Sequence, residues 1–213
     1  MENNSTMMEE ADPITRDADA GVNERIARCV RELRTARGYS LDVLATRSGV
    51  SRSMISLIER AAASPTAVVL DKLATGLGVP LASLFSGGRE DAPVDRLVRR
   101  AQQPIWRDPE SGYMRRNISP PGWPSPLHLV EVDFPPGARV AYEVGSRENL
   151  VHQQIWILKG RIDLMLGEQL HELREGDCLA MRLDQPLIYS NPTRQSARYI
   201  VALCTEAAHP PGV

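Results

Sequence analysis

The chain has 213 residues, of which 42% are hydrophobic and 24% charged, enough apolar content for real cores and against wholesale disorder. Three scattered cysteines, Cys29, Cys178 and Cys204, form no CxxC pair and leave an odd one over, which argues against a disulfide framework and for reduced thiols in a cytoplasmic setting. The acidic N-terminus does not suit a signal peptide and no apolar run reaches the roughly 18 residues of a membrane span, so the expectation is a soluble protein with no membrane partner.

The net charge of -2 hides an uneven distribution. Residues 1–21 carry Glu2, Glu9, Glu10, Asp12, Asp17 and Asp19 against Arg16 alone and read as a disordered acidic tail. Residues 22–86 carry Arg25, Arg28, Arg31, Arg34, Arg37, Arg47, Arg52, Arg60 and Lys72 against Glu24, Glu32, Asp42, Glu59 and Asp71. A basic block inside an acidic chain points to a polyanionic partner for that block.

From Val22 the apolar residues recur at helical spacing. Ile26, Val30 and Leu33 mark a first helix that Gly38 ends. Ser40 can cap a second helix with Leu41, Leu44 and Ala45. Ser51 can cap a third with Met54, Ile55 and Ile58. Ser64 followed by Pro65 reads as the start of a fourth, with Val68, Val69, Leu73 and Leu77, stopping at Gly78. Pro80 to Phe85 makes a short fifth. Residues 87–105 read as a linker, and residues 106–207 as an all-β domain. There LHLVEVDF, ARVAYEV, QIWIL, RIDLML, QLHEL, DCLAMRL, PLIYSN and ARYIVAL alternate as short strands separated by turn signals, favouring an antiparallel barrel or jelly roll. The fold class is therefore α+β in two domains.

The segment LDVLATRSGVSRSMISLIER (41–60) has helix-turn-helix spacing. Ala45 is small where two helices approach, Gly49 stands in the turn, and Val50, Ile55 and Ile58 pack the pair together. Ser51, Arg52, Ser53, Ser56 and Leu57 are left facing outward, where a third helix can enter a major groove. The run from Leu33 to Phe85 resembles the lambda-repressor-like helix-turn-helix of the XRE regulators, over residues 23–86. The resemblance implies base-facing positions at Arg52, Ser53 and Leu57 and phosphate positions at Ser40, Arg47, Ser51 and Ser64. Two residues depart from the pattern: Leu57 stands where a polar residue is usual, and Ala61 replaces a glycine after the third helix, at some strain cost.

The strand region resembles a cupin, over roughly residues 110–204, through Gly137, Gly160, Gly176, Asp177 and Asn191-Pro192. The resemblance implies a double-stranded β-helix barrel and, in metal-binding members, histidines and a glutamate around an open metal site. Here Gln153 occupies the glutamate position and Leu187 the second-motif histidine position. Tyr142 and Glu143 stand where the first two histidines would be. His152, one residue from Gln153, points to the opposite face of its strand. Glu143 and His152 remain as ligands, too few for a secure site, while His128 and His171 stand singly. No Ser-His-Asp set, nucleophile elbow or phosphate loop is present, so neither catalysis nor a cofactor is expected.

A pocket lined by Tyr142, Gln153, Ile155, Ile157, Leu187 and Tyr189, with Met181, Arg182 and Trp156 as further positions, would suit a small-molecule effector. The expected function is a DNA-binding transcriptional regulator, a homodimer on double-stranded DNA with an effector-binding barrel that lacks metal. The alternatives are a metal-dependent cupin enzyme fused to a DNA-binding domain and an architectural dimer whose barrel is filled.

Overall fold

A computed structural model of the chain describes residues 13–85, 95–143 and 150–206. The N-terminal part holds four α-helices, α1 (Pro13–Ala36), α2 (Leu41–Ser48), α3 (Arg52–Glu59) and α4 (Ala67–Gly76), followed by a 3-10 turn at Leu81–Phe85. Helix α1 buries Val22, Ile26, Cys29 and Val30 on one stripe. Ser40 caps α2 by accepting the Val43 N–H at 3.1 Å, and Ser51 caps α3 by accepting the Met54 N–H at 3.2 Å. Gly49, at φ +69°, closes α2 and donates its N–H to the Ala45 carbonyl at 2.9 Å. Helices α2 and α4 touch so closely that a Cβ on Gly76 would lie 2.8 Å from the Ser48 Cβ.

Three expectations for this part need correction. Helix α1 begins at Pro13, so residues 13–21 are helical; the rest of the expected tail lies outside the described residues. Acidic composition does not oppose a helix that propagates from a packed segment, and Pro13 suits a first helical position. Helix α4 starts at Ala67 with Thr66 as its cap, not at Ser64. Ser64 is bonded to Asn23 instead, and the Ala67 N–H is taken by Asp108 Oδ1 at 2.9 Å. The fifth helix is a single 3-10 turn, initiated by the Ser83 N–H on the Pro80 carbonyl.

The C-terminal part comprises β1 (Ile105–Arg107), β2 (Met114–Asn117), β3 (Leu127–Phe134), β4 (Arg139–Tyr142), β5 (Leu150–Lys159), β6 (Arg161–Leu166), β7 (Gln169–Arg174), β8 (Cys178–Arg182), β9 (Leu187–Ser190) and β10 (Ala197–Glu206). One sheet runs β1-β2-β3-β10-β5-β8 and the other β4-β9-β6-β7, all antiparallel. With β1 and β2 set aside, these are the two four-stranded orders of a jelly roll, the architecture that includes cupins. The barrel is not closed: among the described residues no ladder joins one sheet to the other. Strands β1 and β2 escape a pattern reading because three or four residues show too little alternation. Of the expected linker at 87–105, residues 87–94 lie outside the described residues, Arg100–Gln102 form a short 3-10 turn, and Ile105 already belongs to β1.

Alternation sets the inner face of β5, where Val151, Gln153, Ile155 and Ile157 are buried and His152, Gln154 and Trp156 are exposed. The two parts share one continuous apolar core. Phe85 meets Trp106 edge-on at 5.7 Å, and the Arg115 guanidinium lies 5.1 Å over the Phe85 ring. Lys72 of α4 pairs with Glu143, after β4, at 3.2 Å. No helix among the described residues is long and apolar enough to cross a membrane.

Candidate nucleic-acid interface and ligand cavity

The helical surface gathers part of the expected DNA-facing set. Arg52, two-thirds exposed, stands at the start of α3 with Nε 3.3 Å from Asp42 Oδ1. An ion pair this exposed is weak and screened, so it orients the guanidinium without committing it. Ser53 is exposed and shares a 3.2 Å hydrogen bond with Ser51, while Ser56 and Leu57 are half-buried. Arg47 is exposed, but its Nε donates to the Gly76 carbonyl at 3.1 Å and its guanidinium lies 5.0 Å over the Tyr39 ring. Ser40 and Ser51 use their hydroxyls as helix caps, and Ser64 exchanges hydrogen bonds with Asn23. Ile55 and Ile58, expected to pack the pair, are buried, while Met54 on the same helix is exposed.

The interface has an internal brace that the sequence reading did not single out. Glu59, buried at the end of α3, accepts Arg34 Nε at 2.6 Å and Arg34 Nη2 at 2.8 Å, and Arg31 donates to its backbone carbonyl. This fork ties α3 to α1, and the bond to Glu59 holds the Arg34 guanidinium above its ordinary pKa. Immediately after it Ala61 adopts φ +54°, the left-handed conformation the missing glycine would have relieved.

Between the two sheets lies a cavity with about 70 Å³ that a water-sized sphere can reach. Of the expected lining, Tyr142, Gln153, Leu187 and Tyr189 are brought together there. Ile155 and Ile157 share the inward face of β5 but are fully buried core residues beyond the cavity. Trp156 and Arg182 are exposed on the outer face, and Met181 is buried behind Gln153. Gln153 Nε2 donates to the Tyr189 hydroxyl at 2.7 Å, and the Tyr113 and Tyr142 hydroxyls are 3.3 Å apart. Tyr189 stacks on Tyr199 at 6.1 Å. Burial pushes all four phenols above their ordinary pKa, most strongly Tyr142 and Tyr199, so they remain neutral hydroxyls.

The cavity also holds residues that the pattern did not reveal. Tyr113 and Arg115 arrive from the region of β2, and Tyr199 from β10. Asp71 of α4, with Pro80 and Leu81, brings the helical part into the wall. Strand β4 is shared: Val140 lines the cavity and also, with Arg139 and Ala141, a second cleft that reaches Ser51 and Met54 of the helix-turn-helix.

The donor chemistry does not fit a cupin metal. The inward groups at the ligand positions are an amide, an alkyl chain and a phenol, from Gln153, Leu187 and Tyr142. Glu143 is exposed and paired with Lys72, His152 is exposed on the outer face, and no three His, Cys, Asp or Glu converge among the described residues.

Residues 30–84 match the helix-turn-helix family HTH_3. The HTH-type transcriptional regulator SutR of Escherichia coli (strain K12) is 25% identical over 170 residues, spanning 80% of this chain and 89% of that protein. The HTH-type transcriptional regulator SlrR of Bacillus subtilis (strain 168) is 39% identical over 88 residues, 36% of this chain and 57% of that protein. The crystal structure of an HTH_3 family transcriptional regulator from Vibrio cholerae superposes with a TM-score of 0.70 at 25% identity, covering 91% of this chain and 99% of that one.

Proposed function

From an N-terminal domain of the HTH_3 helix-turn-helix family at residues 30–84, we propose that this protein is a DNA-binding transcriptional regulator whose jelly roll receives a small-molecule effector without a metal. The observation that carries the reading is the joining of both sites through shared elements: α4 and β4 wall the cavity and also the cleft beside α3. Two copies would set their recognition helices about 34–36 Å apart in successive major grooves of a near-palindromic operator. Arg52, Ser53 and Leu57 face the bases in this reading, and Arg52 is the residue able to hold a guanine edge through two hydrogen bonds. Ser40, Arg47, Ser51 and Ser64 flank them toward the phosphates, with Ser56 beside them on α3. An effector would shift the balance of arrangements of α4 and β4, and with it the spacing of the two helices.

Selection of genomic fragments bound by the full chain tests the reading. One preferred sequence with two-fold symmetry is expected, bound by a dimer in analytical ultracentrifugation. Binding of all fragments alike, with no enrichment, would remove the regulator reading.

A further inference from the structure

Arg115 is the residue of the cavity that neither the helix-turn-helix nor the metal question uses. It is 6% exposed, carries a permanent charge, and lines the space between the sheets. Its Nε is held 3.3 Å from Asn117 Oδ1 and its guanidinium rests against the Phe85 ring, yet its Nη2 has no hydrogen-bond partner. No carboxylate among the described residues forms an ion pair with it. Buried arginines are almost always paired, because an uncompensated buried donor keeps its full desolvation cost. The neighbouring outer face shows the ordinary solution: Glu131 there gathers Arg116 at 3.1 Å, Arg100 at 3.6 Å and Arg198 at 3.9 Å. Arg115, next to Arg116 on β2 but turned to the inner face, has been given nothing comparable.

We propose that the cavity takes a small monocarboxylate with a short apolar tail, its carboxylate held by Arg115 and by the tyrosine hydroxyls. The guanidinium presents donors in a planar fork that matches a carboxylate. A single cation in the lining, with Asp71 and Glu143 also present, favours one negative charge over two. The apolar tail follows from Val132, Phe134, Leu187 and Val201 in the same wall. The space is several water volumes, which admits a handful of non-hydrogen atoms. A phosphate dianion would meet the same arginine without a second cation. This deepens the effector reading above and rests on it.

The test is calorimetry on the full chain with propionate, butyrate and benzoate, each beside its neutral amide, and with inorganic phosphate. The acids are expected to bind at least tenfold more tightly than the amides, and phosphate more weakly than the acids. Arg115→Met, which keeps the bulk against Phe85, is expected to abolish the preference for acid over amide, and Arg115→Lys to retain part of it. Circular dichroism and operator binding of each variant report whether it folds. Should a variant fail to fold, the acid-against-amide comparison on the unaltered chain decides alone. Equal binding of acid and amide overturns the anion assignment while leaving an effector cavity in place. Preference for phosphate overturns the carboxylate class. Absence of binding by every compound overturns the monocarboxylate assignment, while the regulator reading is decided separately by the fragment selection.

Discussion

Single residues carry identifiable strain and compensation in the helix-turn-helix. Ala61 at φ +54° holds a conformation that disfavours any Cβ, so Ala61→Gly is expected to stabilise the protein by about 0.5–1 kcal/mol, seen as a higher urea midpoint with an unchanged slope. Glu59 is the opposite case. Glu59→Gln leaves Arg34 with its fork half empty in a largely buried position, and is expected to destabilise by about 3 kcal/mol. Replacing Arg34 and Glu59 together by Met and Leu should recover most of that loss in the same urea titration. Cys29 gives a pH signature. Burial, reinforced by Glu32 and opposed by Arg28, lifts its thiol from 9.0 to about 11. Because the folded state favours the neutral thiol, this contribution to stability is complete below pH 9 and is lost as the pH rises through about 11. Native alkylation at neutral pH should label exposed Cys178 first and Cys29 last, measured by mass spectrometry of the digest.

Elements decide what those residues can do together. Helix α3 presents Arg52 from its first turn, so Arg52→Ala should remove about 1–3 kcal/mol of discrimination between operator and random duplex. Unequal loss on the two duplexes in a gel-shift titration is the expected outcome, and equal affinity for both before and after the change removes Arg52 from base readout. In β5, Gln153→Leu strands the Tyr189 hydroxyl and is expected to cost about 1–2 kcal/mol in thermal or urea unfolding. Periodicity located both elements. Ser40, Gly49 and Ser51 are local signals of cap and turn, and β3 to β10 alternate strongly enough to be read in chain order. What alternation gives is the face of a strand and not the distance along it, which is why Gln153 and Ile155 were grouped although one reaches the cavity and the other fills the core. Arg115 was invisible for a related reason. Strand β2 is four residues long, and Arg115 is buried by tertiary contacts, its backbone paired with Val132 of β3 and its guanidinium against Phe85.

At the scale of the whole molecule, the docking of the helices onto the jelly roll creates what neither part holds alone. Asp71, Pro80 and Leu81 enter the cavity wall by tertiary contact, which no local pattern encodes. The aromatic run Phe85, Trp106, Tyr113 and Phe134, at successive ring distances of 5.7, 5.7 and 5.9 Å, packs continuously from the helical part to the cavity. Continuity of packing permits coupling and does not by itself establish it. Lys72→Ala separates the two: it removes an exposed bridge, so stability should change by less than about 0.5 kcal/mol, while the change in operator affinity produced by a saturating ligand should shrink. An unchanged ligand response in that variant assigns the coupling to the packed contacts of α4 and β4 instead.

The part played by α4 in the cavity wall also sets a clock. If the cavity holds an effector as proposed, the guest rests partly against Asp71 of α4, and its residence time would then depend on how readily that helix lifts as well as on the strength of its own contacts. Operator DNA that pins α3 should slow the lifting. A ligand captured before the protein meets its operator would then dissociate more slowly from the complex than from the free chain, and stopped-flow displacement with and without duplex would measure the difference.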